Sequence, residues 1–428
     1  MPLKISYFLD HKLNLYQTPA NIKNFFLEKN FKQLNEEDLK NIKKTKLIFQ
    51  IKIKILNLIY FFKKINFVFS KIDRQKIIIF DDITGELSFI FSKEKNCFFM
   101  SPRIQNIDKI FINYFIIKFI LFNFFKRKIK INYLIALINI IDPKLVLTYV
   151  DNSQDFHTLS KFFNKKKKFL AIQNATRADY FYSNQNEKKK IFYQKLFCLG
   201  DFDVNFLNDC NISGDYEVAG SFRTSVFINK FNNNLNKNKK FDICLIGKNL
   251  VKIFQPVKIY ENKVISEYLI LLENLKKYLQ KKNVSLVVCC KSYGFKLEAE
   301  KYFYKDFFGS LNVTVSSNGG DMTDDNYFNS YKSILKSDVV IGLPSTLLRE
   351  AIYFDKKILC VDYSENLLHP FKDIALCSSK NFDDFLFKLD SLLEISSENY
   401  FKKLNYSKNY IVGEINTLEK INTLINKI

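Results

Sequence analysis

A strand, a turn and a helix start are predicted at residues 337–350, and the turn carries the residues best suited to chemistry. Three consecutive β-branched residues at 339–341 are typical of a buried parallel strand. Gly342 breaks the strand, and Ser345 and Thr346 follow where a helix prefers its N-cap. Such a turn directs backbone N–H groups, hydroxyls and the positive end of a helix dipole at one point. That arrangement suits an anionic group, typically phosphate.

A plain helix cap is the alternative interpretation of Ser345, because strand–turn–helix units occur in every α/β protein. The stretch by itself leaves both interpretations open. Glu350 lies five residues after Ser345 and four after Thr346. This spacing does not fit a capping box, whose Glu lies three residues after the cap. We therefore expect the Glu350 carboxylate near the mouth of the turn, where it could accept a hydrogen bond from a ribose or sugar hydroxyl.

Two residues are candidates for a general base. Asp151 directly follows the apolar run 145–150, with Asn152 beside it. His157 is the competitor, because histidine is the side chain that titrates closest to neutral pH. An Asp at a strand end is also a common turn former, and a His at this distance from a strand also occurs idle on helix surfaces. The sequence leaves these alternatives open.

Short apolar runs recur along the chain and predict parallel sheets that are covered on both faces. Polar residues concentrate just after the runs, where the ligand crevice of an open α/β sheet lies. The first series comprises residues 77–80, 97–100, 145–150, 169–172, 196–199 and 216–219. The second series comprises residues 241–246, 284–289, 312–315, 339–341 and 357–361.

The two series predict an α/β fold with two Rossmann-like domains that face each other across a cleft. Residues 1–75 are predicted to form a helical N-terminal extension, with an apolar, lysine-spaced part that either caps the first domain or lies on a membrane. The expected divisions are 1–75 for the extension, 76–231 for the first domain, 232–240 for a polar linker, 241–400 for the second domain and 401–428 for a helical tail.

The charge balance of 66 basic and 44 acidic residues gives +22 and favours an anionic partner. Part of it follows from a coding bias toward Lys and Asn. The basic runs 165–168 and 188–190 are either solvated faces or attract anionic lipid headgroups. A nucleic-acid-binding protein is the rival class. It is disfavoured because no recognisable module is present and the basic residues are scattered, so no nucleic-acid partner is expected.

Cysteine usage and the absence of a signal peptide favour a cytoplasmic protein. The eight Cys form no C-x-x-C pair and mostly lie in apolar runs, so we expect core thiols in a reducing compartment. Residues 1–4 lead into polar sequence without a clean apolar h-region. The most apolar stretch, 107–125, is interrupted by charged and amide residues, which predicts a buried or interfacial helix rather than a membrane span.

Taken together, the motifs resemble GT-B-type glycosyltransferases of bacterial surface-polysaccharide assembly, and a related pattern occurs in CDP-glycerol glycerophosphotransferases of teichoic-acid synthesis. The resemblance covers about residues 76–400, and the order of the short motifs carries it. The stretch 172–177 resembles a Gln-Asn-Gly-x-Arg loop with Ala175 in the Gly position, which changes the expected loop shape. The other matching segments are 337–346 with Glu350-Ala351 and 356–359 for the donor site, 218–223 closing the first domain, and 241–246 opening the second.

The resemblance implies roles for individual residues. Arg223 could swing between the domains to bind phosphate, although an ordinary surface Arg is the alternative. Lys291 stands where some relatives carry Arg and would supply a point charge without the bidentate fork. The implied donor-binding residues are Gly342, Ser345, Thr346, Glu350, Arg223, Lys248 and Lys291. The implied acceptor-binding residues, for which capping and turn duties are the alternative, are Asn152, Gln173, Asn174 and Arg177.

The function implied is transfer of a sugar from a nucleotide-sugar donor to a surface-glycan or lipid-linked acceptor, with inversion. No metal or other cofactor is expected, and the Asp201-x-Asp203 spacing is interpreted as a turn feature. An anionic membrane surface is a candidate partner, which would make the protein peripheral on the inner face of the membrane. A CDP-polyol phosphotransferase and a non-catalytic GT-B protein remain alternatives within the same fold.

Overall fold

The computed structural model describes a chain built from two parallel sheets and their helices. Of the predicted N-terminal extension only residues 66–75 are described, and Asn66–Val68 form a strand there instead of the predicted helix. Arg177, Lys188 and Lys189 lie outside the described residues, as does most of the predicted linker. The described residues are 66–83, 85–91, 96–103, 107, 109–176, 190–231, 238–248, 259–292, 295–317, 319, 326–363, 368–404 and 407–427.

The first half of the chain forms a six-stranded parallel sheet in the order β3-β2-β5-β6-β7-β8, beside a two-stranded sheet of β1 and β4. The strands are β1 (Asn66–Val68), β2 (Ile77–Phe80), β3 (Cys97–Met100), β4 (Lys109–Phe111), β5 (Leu145–Thr148), β6 (Lys168–Ile172), β7 (Lys195–Cys198) and β8 (Tyr216–Val218). The helices are α1 (Glu86–Phe91), α2 (Tyr114–Phe122), α3 (Ile129–Ile141), α4 (Gln154–Phe162), α5 (Asp201–Asp209) and α6 (Phe222–Phe231).

The second half forms another six-stranded parallel sheet, in the order β11-β10-β9-β12-β13-β14. The strands are β9 (Phe241–Ile246), β10 (Leu286–Cys289), β11 (Val313–Ser316), β12 (Ser337–Gly342), β13 (Lys357–Val361) and β14 (Leu376–Cys377). The helices are α7 (Ile259–Lys281), α8 (Phe295–Phe308), α9 (Asn329–Leu335), α10 (Thr346–Tyr353), α11 (Phe382–Glu394), α12 (Ser397–Lys403), α13 (Lys408–Ile411) and α14 (Thr417–Asn426).

β2 is apolar at every position because the side chains on both of its faces are buried. Ile78 and Phe80 belong to a core that is confined to the first domain. Ile77 and Ile79 face the other way, into a core that continues into the second domain. Successive side chains of a strand point to opposite faces, so burial of both faces requires an unbroken apolar run. The α/β fold with two parallel sheets, predicted from such runs, is confirmed.

Both sheets have a topological switch point, where strand order reverses and ligands of open α/β sheets bind. In the first sheet the chain begins at β2, adds β3 on one side and then crosses to β5 on the other. In the second sheet it begins at β9, adds β10 and β11 on one side, and crosses to β12. The crevices are therefore expected after β2 and β5 in the first domain and after β9 and β12 in the second.

The C-terminal helices return to the first domain, where they pack on the carboxyl edge of its sheet. The Gly413 N–H donates to the Leu199 carbonyl at 2.7 Å, and the Thr417 hydroxyl donates to the Ala219 carbonyl at 2.5 Å. Gly220 has a φ of +72°, and a Cβ there would lie 2.7 Å from the Glu414 carbonyl oxygen. The close approach and the left-handed backbone both require glycine at this position.

The apolar stretch 107–125 differs from its prediction. Instead of a single helix, it contains the strand β4 and the helix α2, and only Ile116 of α2 is fully buried. Across the described part of the chain, no helix combines the length and apolarity needed to span a bilayer.

Candidate functional site

The turn after β12 begins α10 as predicted, at the boundary between the two domains. Ser345 is the N-cap, and its Oγ accepts a hydrogen bond from the Leu348 N–H at 3.3 Å. The Thr346 Oγ1 accepts the N–H of Thr176, in the loop after β6, at 2.8 Å. Ser345 and Thr346 are half-buried. The helix start therefore faces the first domain rather than bulk solvent.

Two lysines stand at the ends of the strands beside this helix start. β10, β9 and β12 are neighbours in the sheet, with Lys248 two residues past β9 and Lys291 two residues past β10. Lys248 is half-buried and Lys291 is exposed. Adjacent strands lie about 4.8 Å apart. Two ammonium groups and a helix N-terminus are thus carried on three consecutive strand ends, an arrangement suited to a diphosphate.

The backbone after β10, which carries Lys291, is held by a buried carboxylate. Glu300 of α8 accepts the Lys291 N–H at 3.0 Å and the Ser292 N–H at 2.7 Å. Burial raises the pKa of Glu300, although these two N–H groups oppose the shift. These two bonds hold the backbone of residues 291–292 against α8.

Gly342 is buried and allows two strand ends to pack closely. A Cβ at Gly342 would lie 3.1 Å from the Ile246 Cβ, so the residue allows β12 to end close beside β9. Gly247 is more constrained, because a Cβ there would lie 2.4 Å from the Cys289 carbonyl oxygen. Both glycines let neighbouring strand ends approach each other.

Glu350 does not point to the mouth of the turn, and that prediction is wrong. The side chain is 4% exposed. One carboxylate oxygen accepts the Ser221 hydroxyl, and the other accepts the Tyr331 hydroxyl at 3.0 Å. Burial raises its pKa, opposed by these bonds and by the nearby positive charge of Arg223. Glu350 joins α10 to the start of α6, and the sequence could not show this because its partners lie far away in the chain.

Arg349, which was not predicted to matter, forms a buried ion pair between the domains. Its Nη1 and Nη2 lie 3.0 and 2.5 Å from the two carboxylate oxygens of Asp203 on α5, and its Nε donates to the Ile411 carbonyl at 2.7 Å. The guanidinium has no solvent exposure. A basic residue within the apolar face of a short helix was the available signal, since buried charges are paired.

Gln173 supports this ion pair, so its prediction as a substrate contact is corrected. It is 3% exposed. Its Nε2 donates to Asp203 at 2.7 Å and to the Ala175 carbonyl at 3.1 Å, and its Oε1 accepts the Leu199 N–H at 3.0 Å. The amide holds the loop after β6 against the start of α5.

Arg223 is held in place, contrary to its predicted swing toward a phosphate. Its Nη2 lies 2.6 Å from the buried Glu86 carboxylate, which also accepts the Tyr327 hydroxyl at 2.5 Å. The guanidinium lies 5.6 Å from the centre of the Tyr327 ring, within cation–π range. Since Tyr327 belongs to the second domain and Glu86 to the first, Arg223 is part of the contact between them.

Asp151 follows the buried strand β5, at the first switch point. Its Oδ1 accepts the Asn174 N–H at 3.2 Å, and its backbone carbonyl accepts the Tyr193 hydroxyl at 3.0 Å. The residue is fully buried, whereas Asn152 is exposed and Asn174 is half-buried. The loop that shields Asp151 is the one that contacts the start of α10 through Thr176.

His157 is a core residue of the first domain. The ring is 1% exposed, with Nδ1 lying 3.1 Å from the Phe192 carbonyl oxygen. It packs edge-on against Tyr193, with ring centres 4.9 Å apart. The imidazole is enclosed between α4 and the loop before β7, and the Asp151 side chain is buried to a similar degree.

A His–Asp pair that the sequence analysis missed follows β13. His369 Nε2 lies 3.2 Å from Asp362 Oδ2, and the Phe371 N–H donates to Nδ1 at 3.2 Å. In the neutral ring this leaves the proton on Nε2. An Asp at a strand end with a His shortly after it was the available signal. Among the described residues, no group of three or more His, Cys, Asp or Glu is gathered as for a metal ion.

Comparisons with known proteins show what this architecture resembles. No family model matches the sequence, and no curated protein matches it. MnaA of S. aureus in complex with UDP matches with a TM-score of 0.51 at 12% identity, over 82% of this chain and 96% of that chain. The UDP-GlcNAc 2-epimerase of Neisseria meningitidis bound to UDP-GlcNAc has a TM-score of 0.46 at 15% identity, over 82% and 100%. The wall teichoic acid polymerase TagF has 0.43 at 11% identity, over 82% and 88%.

At 12% identity the likeness to MnaA shows the fold alone. The predicted GT-B-like arrangement of two Rossmann-like domains is confirmed, and with it the resemblance to GT-B-type enzymes at the level of fold.

The Arg349–Asp203 pair is expected to be a main support of the domain contact. Arg349→Met should lower the free energy of unfolding by about 3–5 kcal/mol, because Asp203 stays buried without its counter-charge. The double variant Arg349→Met/Asp203→Leu should lose less free energy of unfolding than Arg349→Met, because it leaves no unpaired charge buried. Urea denaturation measures both. Lys402→Met, which breaks an exposed pair with Glu398, is the matched control and should change little. If Arg349→Met lowers the free energy of unfolding no more than Lys402→Met does, the ion pair is not a main support of the domain contact.

Glu350→Gln is expected to change how stability depends on pH. A raised pKa in the folded state means that the folded protein binds the proton more tightly than the unfolded chain. Wild-type stability therefore falls as the pH rises from the ordinary glutamate pKa, about 4.3, through the raised pKa. The variant lacks this loss, so its stability relative to wild type should increase over that window and then level off. Urea midpoints measured across pH test this, and a pH-independent difference would refute it.

Proposed function

We propose that this protein is a glycosyltransferase that moves a sugar from a nucleotide-activated donor to a surface-glycan or lipid-linked acceptor. One observation carries the proposal. The loop after β6 in the first sheet meets the start of α10 in the second, where the Thr176 N–H donates to Thr346 Oγ1. Lys248 and Lys291 follow neighbouring strands of the second sheet, and Asp151 follows a strand of the first. This geometry can hold an anionic leaving group in one domain while the acceptor is deprotonated from the other.

The donor is proposed to bind the second domain. The diphosphate lies across the ends of β10, β9 and β12, where Lys291, Lys248 and the start of α10 supply positive charge. Charge that develops on the leaving phosphate is stabilised best by donors that are already oriented. MnaA, which has this fold, was solved with UDP, so UDP is the first nucleotide to test on this chain.

The acceptor hydroxyl is proposed to be deprotonated by Asp151. Its carboxylate is fully buried beneath the loop after β6, with the Asn174 N–H on one oxygen. Because Asp151 is fully buried, access for an acceptor requires a rearrangement, which we propose takes place at residues 173–176. Because the same loop donates the Thr176 N–H to Thr346, a phosphate that replaces this bond at the helix start would release the loop. Donor binding would then precede acceptor binding.

Donor screening separates sugar transfer from polyol-phosphate transfer. The two reactions break different bonds. Transfer of a sugar from a donor such as a UDP-sugar breaks the sugar–phosphate bond and releases a nucleoside diphosphate, whereas polyol-phosphate transfer breaks the diphosphate bond of the donor and releases CMP. A thermal-shift panel with CMP, CDP, UDP, GDP and their sugars, including CDP-glycerol, identifies the donor class. A ligand at 100 times its Kd adds about 2.7 kcal/mol of stability, which is readily measured. Release of CMP from CDP-glycerol with no turnover of nucleotide sugars would favour the polyol-phosphate reaction.

The paired substitution Ser345→Ala/Thr346→Ala is expected to weaken nucleotide binding at least about tenfold, because hydrogen bonds to a charged group contribute about 1.5–3 kcal/mol. Isothermal titration with the nucleotide found by the panel measures this. Loss of a helix cap alone costs stability but no ligand affinity. Ser396→Ala is therefore the matched control: Ser396 caps α12, accepting the Asn399 N–H at 3.2 Å. Unchanged nucleotide affinity in the paired variant would remove the donor site from this turn.

Asp151→Asn is expected to lower kcat at least about 100-fold while nucleotide affinity stays within about twofold, because general-base catalysis contributes 10²–10⁴-fold. Release of nucleotide in the presence of acceptor measures kcat. The amide keeps an oxygen for the Asn174 N–H, so the loop should stay in place. A variant that retains full turnover would exclude Asp151 as the base.

A further inference from the structure

A helical hairpin on the first domain exposes an apolar surface that the domain core does not use. α2 and α3 are joined by the short turn 123–128 and pack against each other, with Asn132 Nδ2 donating to the Asn123 carbonyl at 2.7 Å. A groove of about 480 Å³ between them is lined largely by apolar residues. Only Ile116 of α2 is fully buried, so the outer face of the helix is exposed to solvent.

The exposed residues of the hairpin are large and contiguous. Phe125 at the turn is 98% exposed, Phe122 is 73% exposed, and Tyr114, Phe115 and Leu121 are each 67–69% exposed. Single exposed apolar residues are normal on a protein surface, but contiguous apolar patches mark interaction sites. The patch lies along one helix and ends at the Phe124–Phe125 ring pair, whose centres are 5.2 Å apart.

The same segment is strongly basic. Residues 109–130 contain no Asp or Glu. Three of the basic residues are consecutive and occupy the turn beside Phe125. The basic residues of the segment are Lys109, Lys118, Lys126, Arg127, Lys128 and Lys130.

The hairpin turn lies on the same side of the domain as the candidate active site. α3 leads into β5, and helices that precede a parallel strand run back along it, so the start of α3 lies near the carboxyl edge of the sheet. The Lys130 Nζ lies 2.6 Å from Asp155 Oδ2 at the start of α4, which confirms this placement. Asp155 is only four residues past Asp151, the proposed base.

We propose that the α2–α3 hairpin docks on an anionic lipid bilayer. The aromatic residues of α2 and the turn enter the headgroup and upper acyl region, and the basic residues of the turn bind lipid phosphates. The combination of an apolar face with cations and no carboxylates fits this surface. A second copy of the chain fits poorly, because a two-fold interface would pair two patches that each carry several basic and no acidic residues. Residues 1–65 also carry an excess of lysine over acidic residues.

The proposal goes beyond the transfer reaction, because it specifies how the first domain is oriented relative to the membrane. With the hairpin in the bilayer, the cleft opens beside the membrane surface. An acceptor that carries a lipid would then be presented near Asp151 without leaving the membrane. Vesicle binding does not require a nucleotide, so this inference and the proposed reaction can fail separately.

Co-sedimentation of the full chain with vesicles tests the docking. We expect binding to vesicles of phosphatidylcholine mixed with phosphatidylglycerol, weaker binding at high salt, and little binding to phosphatidylcholine alone. Phe124→Ser/Phe125→Ser should weaken binding at least about tenfold, because each aromatic ring loses its apolar burial. Phe387→Ser is the matched control, since Phe387 is 72% exposed on α11 of the other domain, and it should bind as wild type.

Charge is tested separately from apolar insertion. Lys126→Gln/Lys128→Gln should weaken binding about 25-fold, since each basic residue near an anionic surface contributes about fivefold. Lys402→Gln/Lys403→Gln removes two exposed lysines of α12 and should bind as wild type. Urea midpoints close to wild type establish that the variants are folded.

Three results would overturn the docking. The first is no sedimentation of wild type with anionic vesicles at low salt. The second is equal loss of binding in the hairpin variants and their controls, which would assign binding to the overall charge. The third is a concentration-dependent dimer that is lost in Phe124→Ser/Phe125→Ser while vesicle binding is absent, which would assign the patch to a second copy.

Discussion

The Arg349 guanidinium is enclosed by protein, where it meets both oxygens of Asp203 and the carbonyl of Ile411. Removing two charges from water is costly, and only good geometry with additional hydrogen bonds repays it. Here Gln173 supplies one such bond, to Asp203. Because the ion pair is satisfied only when α10, α5 and the C-terminal segment are all in place, it determines how the two sheets face each other.

The other polar contacts between the domains surround this pair. Glu350 follows it on α10 and binds Ser221, while the Glu86–Arg223 pair reaches Tyr327 of the second domain. The bond between Thr176 and Thr346 lies at the edge of this network, among half-buried residues. The charged contacts therefore hold the domains together, and the contact at the helix start is the one that a ligand can replace.

The hairpin of α2 and α3 differs from the rest of the first domain in where its apolar residues lie. Elsewhere apolar residues enter the two cores, as along β2. α2 instead turns most of its apolar residues outward beside a cluster of cations. This arrangement is costly in water and favourable at a charged lipid interface. The domain thus has an apolar surface whose position, near the carboxyl edge of its sheet, matches the needs of a lipid-linked acceptor.

The sequence by itself determined the two parallel sheets, all of their strands except the short β14, and the turn before α10, because apolar runs and turn residues act over a few neighbouring positions. It placed Ser345, Lys248 and Asp151 at strand ends for the same reason. It did not determine β1 and β4, which formed where helices were predicted. Only the tertiary structure decided that Glu350, Arg223, Gln173 and His157 are committed to buried contacts within the protein. Their partners lie tens to hundreds of residues away in the chain, and local patterns carry no information about such pairings.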